Sequence, residues 1–464
     1  MTTLALTTEE TTALRTTQRH RPTRGASFDA RGCPVSTTSK AALEHAERGL
    51  WRLLSYVGDP IADLDAAAAE DPRWPLPHVM KANGLLATTE HGFSVMARQC
   101  LAHARALAEA GPCTERERRH IAATQACADG RWQAACDLWE QLLIDHPQDL
   151  LALLSAHLFD FARGDARNLM RRVARVLPEW SPSAPLYGFV LGMHAFGLEE
   201  NNLYPQALEA GHAALALEQR DVWAVHAVAH VHEMQGQWER GAAWLNARSA
   251  DWAPDNAFAF HNWWHLAVFH LERCDNAAAL TLLDSRIAPG SATVLQRIDI
   301  TALMWRLQLM GVDLGERWGS AADGWPVQAP DAGYTSFNDM HAVLAQIGAG
   351  RVDAAARIVD VVQQSSVAAG DAGSVESAVG LPLLRGLVAY GHRRFDTAVE
   401  QLSAVRDSCQ RLGGSHAQRD VIDQTLIDAA IRAGRPRLAR HLLNERLGAK
   451  ARSPLTEHWA RRIG

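Results

Sequence analysis

The sequence breaks into helix-sized segments at nearly regular intervals, and that period limits the fold more than any single motif does. Around residue 130 it reads ACADGRWQAACDLWEQLLIDHPQDL, with a glycine at Gly130, an aromatic at Trp132, small residues at Ala134 and Ala135, and a proline at Pro147. The same break recurs at Gly164-Asp165, Asn201-Asn202, Gly236-Gln237-Trp238, Cys274-Asp275-Asn276, Gly350-Arg351-Val352, His392-Arg393-Arg394-Phe395 and Gly434-Arg435. The spacing is about 34 to 43 residues except between 275 and 350, an interval that holds two units or an insertion. A glycine ends one helix by tolerating a left-handed conformation, the aromatic packs back on the pair, alanines let two helices approach, and proline opens the next pair.

Such a unit is a helix hairpin, and hairpins repeated at this period stack into a solenoid. No segment shows the period-2, β-branched pattern of a strand. The predicted fold is therefore all-α, a tetratricopeptide-like helix-hairpin solenoid wound into a right-handed superhelix. The Thr- and Arg-rich start lacks a hydrophobic period, so residues 1–38 are expected to form a flexible arm and 39–464 the superhelix, with some ten hairpins. Their continuous Ala/Leu/Trp seam needs neither disulfide nor metal for stability.

Composition narrows the function classes. With 46 Lys plus Arg against 52 Asp plus Glu, the net charge of -6 offers no basic stripe for phosphates, so no nucleic-acid partner is expected. No basic segment followed by an apolar core opens the chain and no 18-residue apolar run occurs, which points to a cytoplasmic protein without a membrane partner. The seven cysteines are scattered, with no C-x-x-C pair, and argue against a disulfide framework or a cysteine zinc site.

The local distribution of Trp and His is more informative. Nine of the 15 Trp fall between Trp223 and Trp325, and eight of the 21 His between His194 and His270. Their centre is WAVHAVAHVHEMQG followed by FHNWWHLAVFHLE, the first helices of adjacent hairpins, which face the concave side of such an array. At 100° per residue, His226, His230 and Glu233 share a stripe of roughly 60°, as do His261, His265 and Glu272 of roughly 40°, while His232 and His270 point away. A His pair at i, i+4 lets two imidazoles reach one metal ion or one substrate group. A hydrogen-bonded structural network between hairpins uses the same residues. The sequence assigns no cofactor, and whether these histidines hold a metal stays open.

Further candidates lie downstream. Asp299 and Arg306 sit near Trp305 on one helix, where a salt-bridged face is the plainer account. The loop PVQAPDAGYT over 326–335 interrupts the hairpins and is a candidate lid; Ser336 is expected to cap the next helix, which carries Asp339 and His341. In GGSHAQRD, Ser415 and Gln418 form a capping box, which leaves His416, Arg419 and Asp420 at a helix N-terminus suited to a carboxylate or phosphate.

The strings GMHAFGLEE, WAVHAVAHVHEMQG, FHNWWHLAVFHLE, LMWRLQLMG with GERW, and GGSHAQRD resemble the tetratricopeptide repeat protein 38-like family from about residue 40 to the end. That resemblance implies a tetratricopeptide-like superhelix and marks His226, His230, Glu233, His261, Asn262, Trp264, His265, Arg306, Trp318, His416, Arg419 and Asp420 as parts of its signature strings. It implies no reaction. Function is expected to be binding: an internal pocket lined by His, Trp and Arg that holds a small anionic molecule or a peptide terminus. Asn262, Trp264, Asp299, Arg306, Asp339, His341, His416, Arg419 and Asp420 are its candidate contacts. The alternative is an enzyme using His226, His230, Glu233, His261 and His265 as acid–base groups or metal ligands. The near absence of lysine, only Lys40, Lys81 and Lys450, favours a closed pocket over an open peptide groove. Exposed end hairpins leave a homodimer open, and Trp459 is expected to cover the last repeat or a neighbouring copy.

Overall fold

Helix breaks fall where one residue takes a positive φ that reverses the chain. The computed structural model describes residues 27–290, 293–368, 374–451 and 453–463. Its hairpins are α1 (Lys40–Ser55) with α2 (Pro60–Glu70), α3 (Leu76–Leu86) with α4 (His91–Ala110), α5 (Glu115–Ala128) with α6 (Trp132–Asp145), and α7 (Leu150–Ala162) with α8 (Ala166–Val176). They continue as α9 (Tyr187–Glu199) with α10 (Tyr204–Leu217), and α11 (Val222–Met234) with α12 (Trp238–Ala247). After the one-turn α13 (Ser249–Trp252) come α14 (Ala259–Glu272) with α15 (Asn276–Leu282), then α16 (Val294–Leu309) with α17 (Arg317–Asp323). The last are α18 (Ser336–Gly348) with α19 (Val352–Ala368), α20 (Leu381–Gly391) with α21 (Phe395–Val405), and α22 (His416–Arg432) with α23 (Pro436–Ala449). A short α24 (Pro454–Arg461) ends the array.

Each hairpin turn contains a left-handed residue: Tyr56, Thr89, Gly130, Gly164, Asn202, Gly236, Cys274, Gly311, Gly350, Arg393 and Gly434. The interval from 275 to 350 thus holds a full extra hairpin, with its turn at Gly311, followed by an irregular loop. The all-α solenoid is the observed architecture, and its strands are confined, among the described residues, to a two-residue pair joining Ser27–Phe28 to Pro34–Val35. The first 26 residues of the expected arm lie outside the described residues. Residues 27–35, also assigned to the arm, form this small hairpin, in which Arg31 pairs with Asp29 and Glu47 and Val35 is buried.

The first helices stack on one another along the inner side, α9 on α11, α11 on α14, α14 on α16 and α16 on α18. The last first helix, α22, lies across this row, against both α11 and α16. Turns of the N-terminal half meet the C-terminal half and close the superhelix. Tyr56 O accepts from Ala257 N at 2.8 Å, Thr89 O accepts from Asn338 Nδ2 at 2.9 Å, and Glu90 accepts from Val294 N at 3.0 Å. At Gly164 the chains touch so closely that a Cβ would lie 1.6 Å from the Gln410 carbonyl oxygen. Trp459 is fully buried under Arg462 and covers the last repeat. No helix among the described residues is long and apolar enough to cross a membrane.

Candidate functional site

Three inner helices build the centre. Asp221 caps α11 by accepting from Trp223 N and Ala224 N, both at 3.0 Å, and the helix then presents His226 and His230 one turn apart. From α14, His261 and His265 interleave with them. Ring centroids are 4.3 Å apart for His226–His230, 4.9 Å for His226–His261 and for His226–His265, 4.5 Å for His230–His265 and 4.8 Å for His261–His265. All four are buried, and one nitrogen of each lies within 4.8 Å of those of the other three. His232 and His270, on the opposite stripes, are only half-buried.

A carboxylate stands behind three of the rings. Nδ1 of His261 lies 2.7 Å from Asp299 Oδ2, Nδ1 of His265 lies 2.9 Å from Glu233 Oε2, and Nδ1 of His230 lies 3.4 Å from Glu199 Oε2. The hydrogen-bonded carboxylates of Asp299 and Glu233 fix Nδ1 of His261 and of His265 as the protonated nitrogen and leave their Nε2 as an acceptor, whereas Glu199, held well above the usual carboxylate range by burial, makes no hydrogen bond to His230. Nε2 of His261 is 3.1 Å from Nε2 of His226, while Nε2 of His265 and both nitrogens of His230 meet no hydrogen-bond partner. Burial holds His226, His230 and His265 below the usual histidine range, His230 at about 4, so these rings are neutral at pH 7. Burial also raises Asp299 despite the opposing pull of His261.

The cluster forms the floor of a cavity of about 760 Å³ inside the superhelix that stays partly open to solvent. His226, His261 and Asp299 line it directly, whereas His230 and His265 lie behind them. Its walls include Tyr56, Phe161, Trp223, Phe258, Phe260 and Phe337, and Arg98, Arg163 and Arg411 line it too. The irregular loop contributes Tyr334 and Thr335. It is held by Gly333 N donating to Asp339 Oδ1 at 2.9 Å, and the cap of α18 is Thr335, one residue before the expected Ser336.

Several expected contacts are placed elsewhere. Arg306 does not pair with Asp299: its guanidinium donates to the carbonyls of Ala302 at 3.0 Å and Ala417 at 2.7 Å and lies over Trp264, so it ties α16 to α22. Trp264 stacks on His261 at 5.4 Å behind the cavity wall, and Asn262 is fully buried with neither amide atom partnered among the described residues. His341 is fixed to the Phe337 carbonyl at 2.8 Å. The helix N-terminus at Ser415 does receive a carboxylate, but it is the protein's own Glu200. Glu200 accepts from His416 N at 3.1 Å and lies 3.5 Å from Arg419. Asp420 pairs with Arg446. His416, Arg419 and Asp420 therefore hold hairpins together instead of opening onto the central cavity.

Sequence reasoning missed Glu199 and Glu200, although they end the string GMHAFGLEE. The signal was available, because α9 is the first helix preceding α11 and its last turn faces the same interior. Glu272 was placed with the histidines but lies two turns past His265. There it accepts from Arg446 at 2.7 Å and Ser453 at 2.5 Å and lies 3.3 Å from Lys450.

No family model matches the chain. Similar solved structures are helical-repeat proteins. A tetratricopeptide repeat protein from Parabacteroides merdae is 12% identical and covers 64% of this chain and 99% of its own, with a TM-score of 0.34. A human IFIT1 dimer with m7Gppp-AAAA is 13% identical over 92% of this chain and 95% of its own, with a TM-score of 0.40. The tetratricopeptide repeat domain of P58(IPK) is 16% identical over 87% and 99%, with a TM-score of 0.20. The solenoid assignment rests on the hairpins of this chain, and nothing that those proteins bind is carried to it.

Proposed function

We propose that the protein is a small-molecule-binding solenoid of the tetratricopeptide repeat protein 38-like kind that its signature strings resemble. Its ligand is a small anion with an apolar body. The observation that carries this reading is the partly open cavity of about 760 Å³ with aromatic walls, a histidine floor and Arg411 on its lining, where Arg98 and Arg163 are already held by Ser94 and Ala128 and by Asp160 and Asp165. That volume falls within the range of small-molecule sites, and such sites pair apolar walls with a few placed polar groups. A second reading has its own support, since His261 backed by Asp299 on the cavity floor has the arrangement of an oriented general base.

The probe anilinonaphthalene sulfonate matches the proposed ligand class. It should bind once per chain with a rise in fluorescence, lose binding in Leu158→Trp, which fills the cavity from its wall, and weaken about tenfold in Arg411→Glu, a change of about 1.4 kcal/mol. Equal binding to the folded Leu158→Trp variant would sink the proposal.

A further inference from the structure

A purely structural histidine network pairs its nitrogens, and this one does not. Buried polar groups are satisfied in nearly all proteins, because an unpaired one loses its hydration for nothing. Here four buried imidazoles cluster, and Nε2 of His265 and of His230 has no hydrogen-bond partner among the described residues. His226 can carry its proton on Nε2 and donate to Nε2 of His261, but no such donor reaches Nε2 of His265 or of His230 among the described residues. The carboxylates make the matter sharper. By anchoring Nδ1 of His261 and His265, they leave Nε2 of both rings as lone-pair acceptors within a cluster in which one nitrogen of each of the four rings lies within 4.8 Å of the others.

We propose that His226, His230, His261 and His265 bind one divalent transition-metal ion through their inward nitrogens, with Asp299 and Glu233 as positioning residues. Metal-bound histidine commonly donates its other N–H to a carboxylate, which orients the ring and raises its basicity. Two nitrogens each about 2.0–2.1 Å from one ion are separated by about 2.9 to 3.4 Å at 90° to tetrahedral angles. The Nε2 atoms of His226 and His261 are 3.1 Å apart. An all-imidazole set suits zinc, copper, nickel or ferrous iron and not magnesium or calcium, which take oxygen ligands. The two carboxylates hydrogen-bonded to His261 and His265 offset the charge of the ion. In its placement on the cavity floor the inference rests on the pocket reading: His226 and His261 line the cavity, so a further coordination position would face the ligand's polar group.

The test uses the full chain purified on a tag without histidines, stripped with dipicolinate and titrated with cobalt(II). One ion per chain is expected, with visible d–d bands of the intensity given by four- or five-coordinate cobalt and with displacement by zinc. Glu233→Gln should retain those bands but weaken the affinity about 10- to 100-fold. His226→Ala/His265→Ala, checked for folding by its far-ultraviolet spectrum, should lose them. Absence of d–d bands in the stripped wild-type chain, or bands unchanged in the folded double variant, would overturn the proposal. The naphthalene probe, titrated into metal-free protein, separates the two readings: probe binding without cobalt bands ends the metal site alone, and cobalt bands without probe binding end the pocket reading alone.

Discussion

At the scale of residues, buried histidine is used in two ways. The four central rings share one space, while His157 stands apart, buried, with its ring 6.3 Å from Phe196 and 6.4 Å from Trp223. Burial lowers His157 to about 3. A folded-state value below the unfolded one, near 6.5, means that its contribution is complete above pH 6.5 and is lost as pH falls toward 3. His157→Phe, which keeps the aromatic contacts and removes the ionisation, should shift the acid-unfolding midpoint, followed by tryptophan fluorescence, to lower pH. An unchanged midpoint would show that other groups control acid unfolding. Residues that act within one helix were legible in the sequence, as the stripes of His226 with His230 and His261 with His265 show. Pairs across hairpins were not, because Glu200 reaches His416 only once the superhelix has closed, and sequence spacing carries no trace of that closure.

Among the elements, the hairpin turns differ in what carries the left-handed residue. Gly130, Gly164, Gly236, Gly350 and Gly434 announce a left-handed residue, whereas Tyr56, Thr89, Asn202, Cys274 and Arg393 adopt the same conformation with a side chain. The breaks at Asn202, Cys274 and Arg393 are legible from the helix-sized spacing around them, while the glycine turn at Gly311 lies unmarked inside the interval from 275 to 350. The difference is measurable. Arg393→Gly, at an exposed turn with φ 61°, should stabilise the protein by about 0.5–1 kcal/mol by relieving backbone strain. Gly434→Ala, at φ 66° with open space around a new Cβ, should destabilise it by about 1 kcal/mol through backbone strain alone. Urea denaturation gives both values, and matching signs for the two variants would contradict this account of the turns.

For the molecule as a whole, the solenoid makes a pocket by closing on itself. N-terminal turns at Tyr56, Thr89 and Gly164 dock on the C-terminal half, and α22 crosses the row of inner helices, so the concave face becomes an interior. The repeat period announced the solenoid, but the closure depends on small rotations accumulated over many hairpins, which no local pattern encodes. Arg306 illustrates the consequence: expected as a ligand contact, it instead bonds the Ala417 carbonyl of the crossing helix. The central claim is that this interior is a ligand site with the histidines at its floor. A crystal structure of the protein soaked with anilinonaphthalene sulfonate tests it most directly. The account predicts the naphthalene ring between Trp223 and Phe337, inside the cavity and above His226 and His261. Probe density confined to the outer surface, with the cavity left to ordered water, would contradict it.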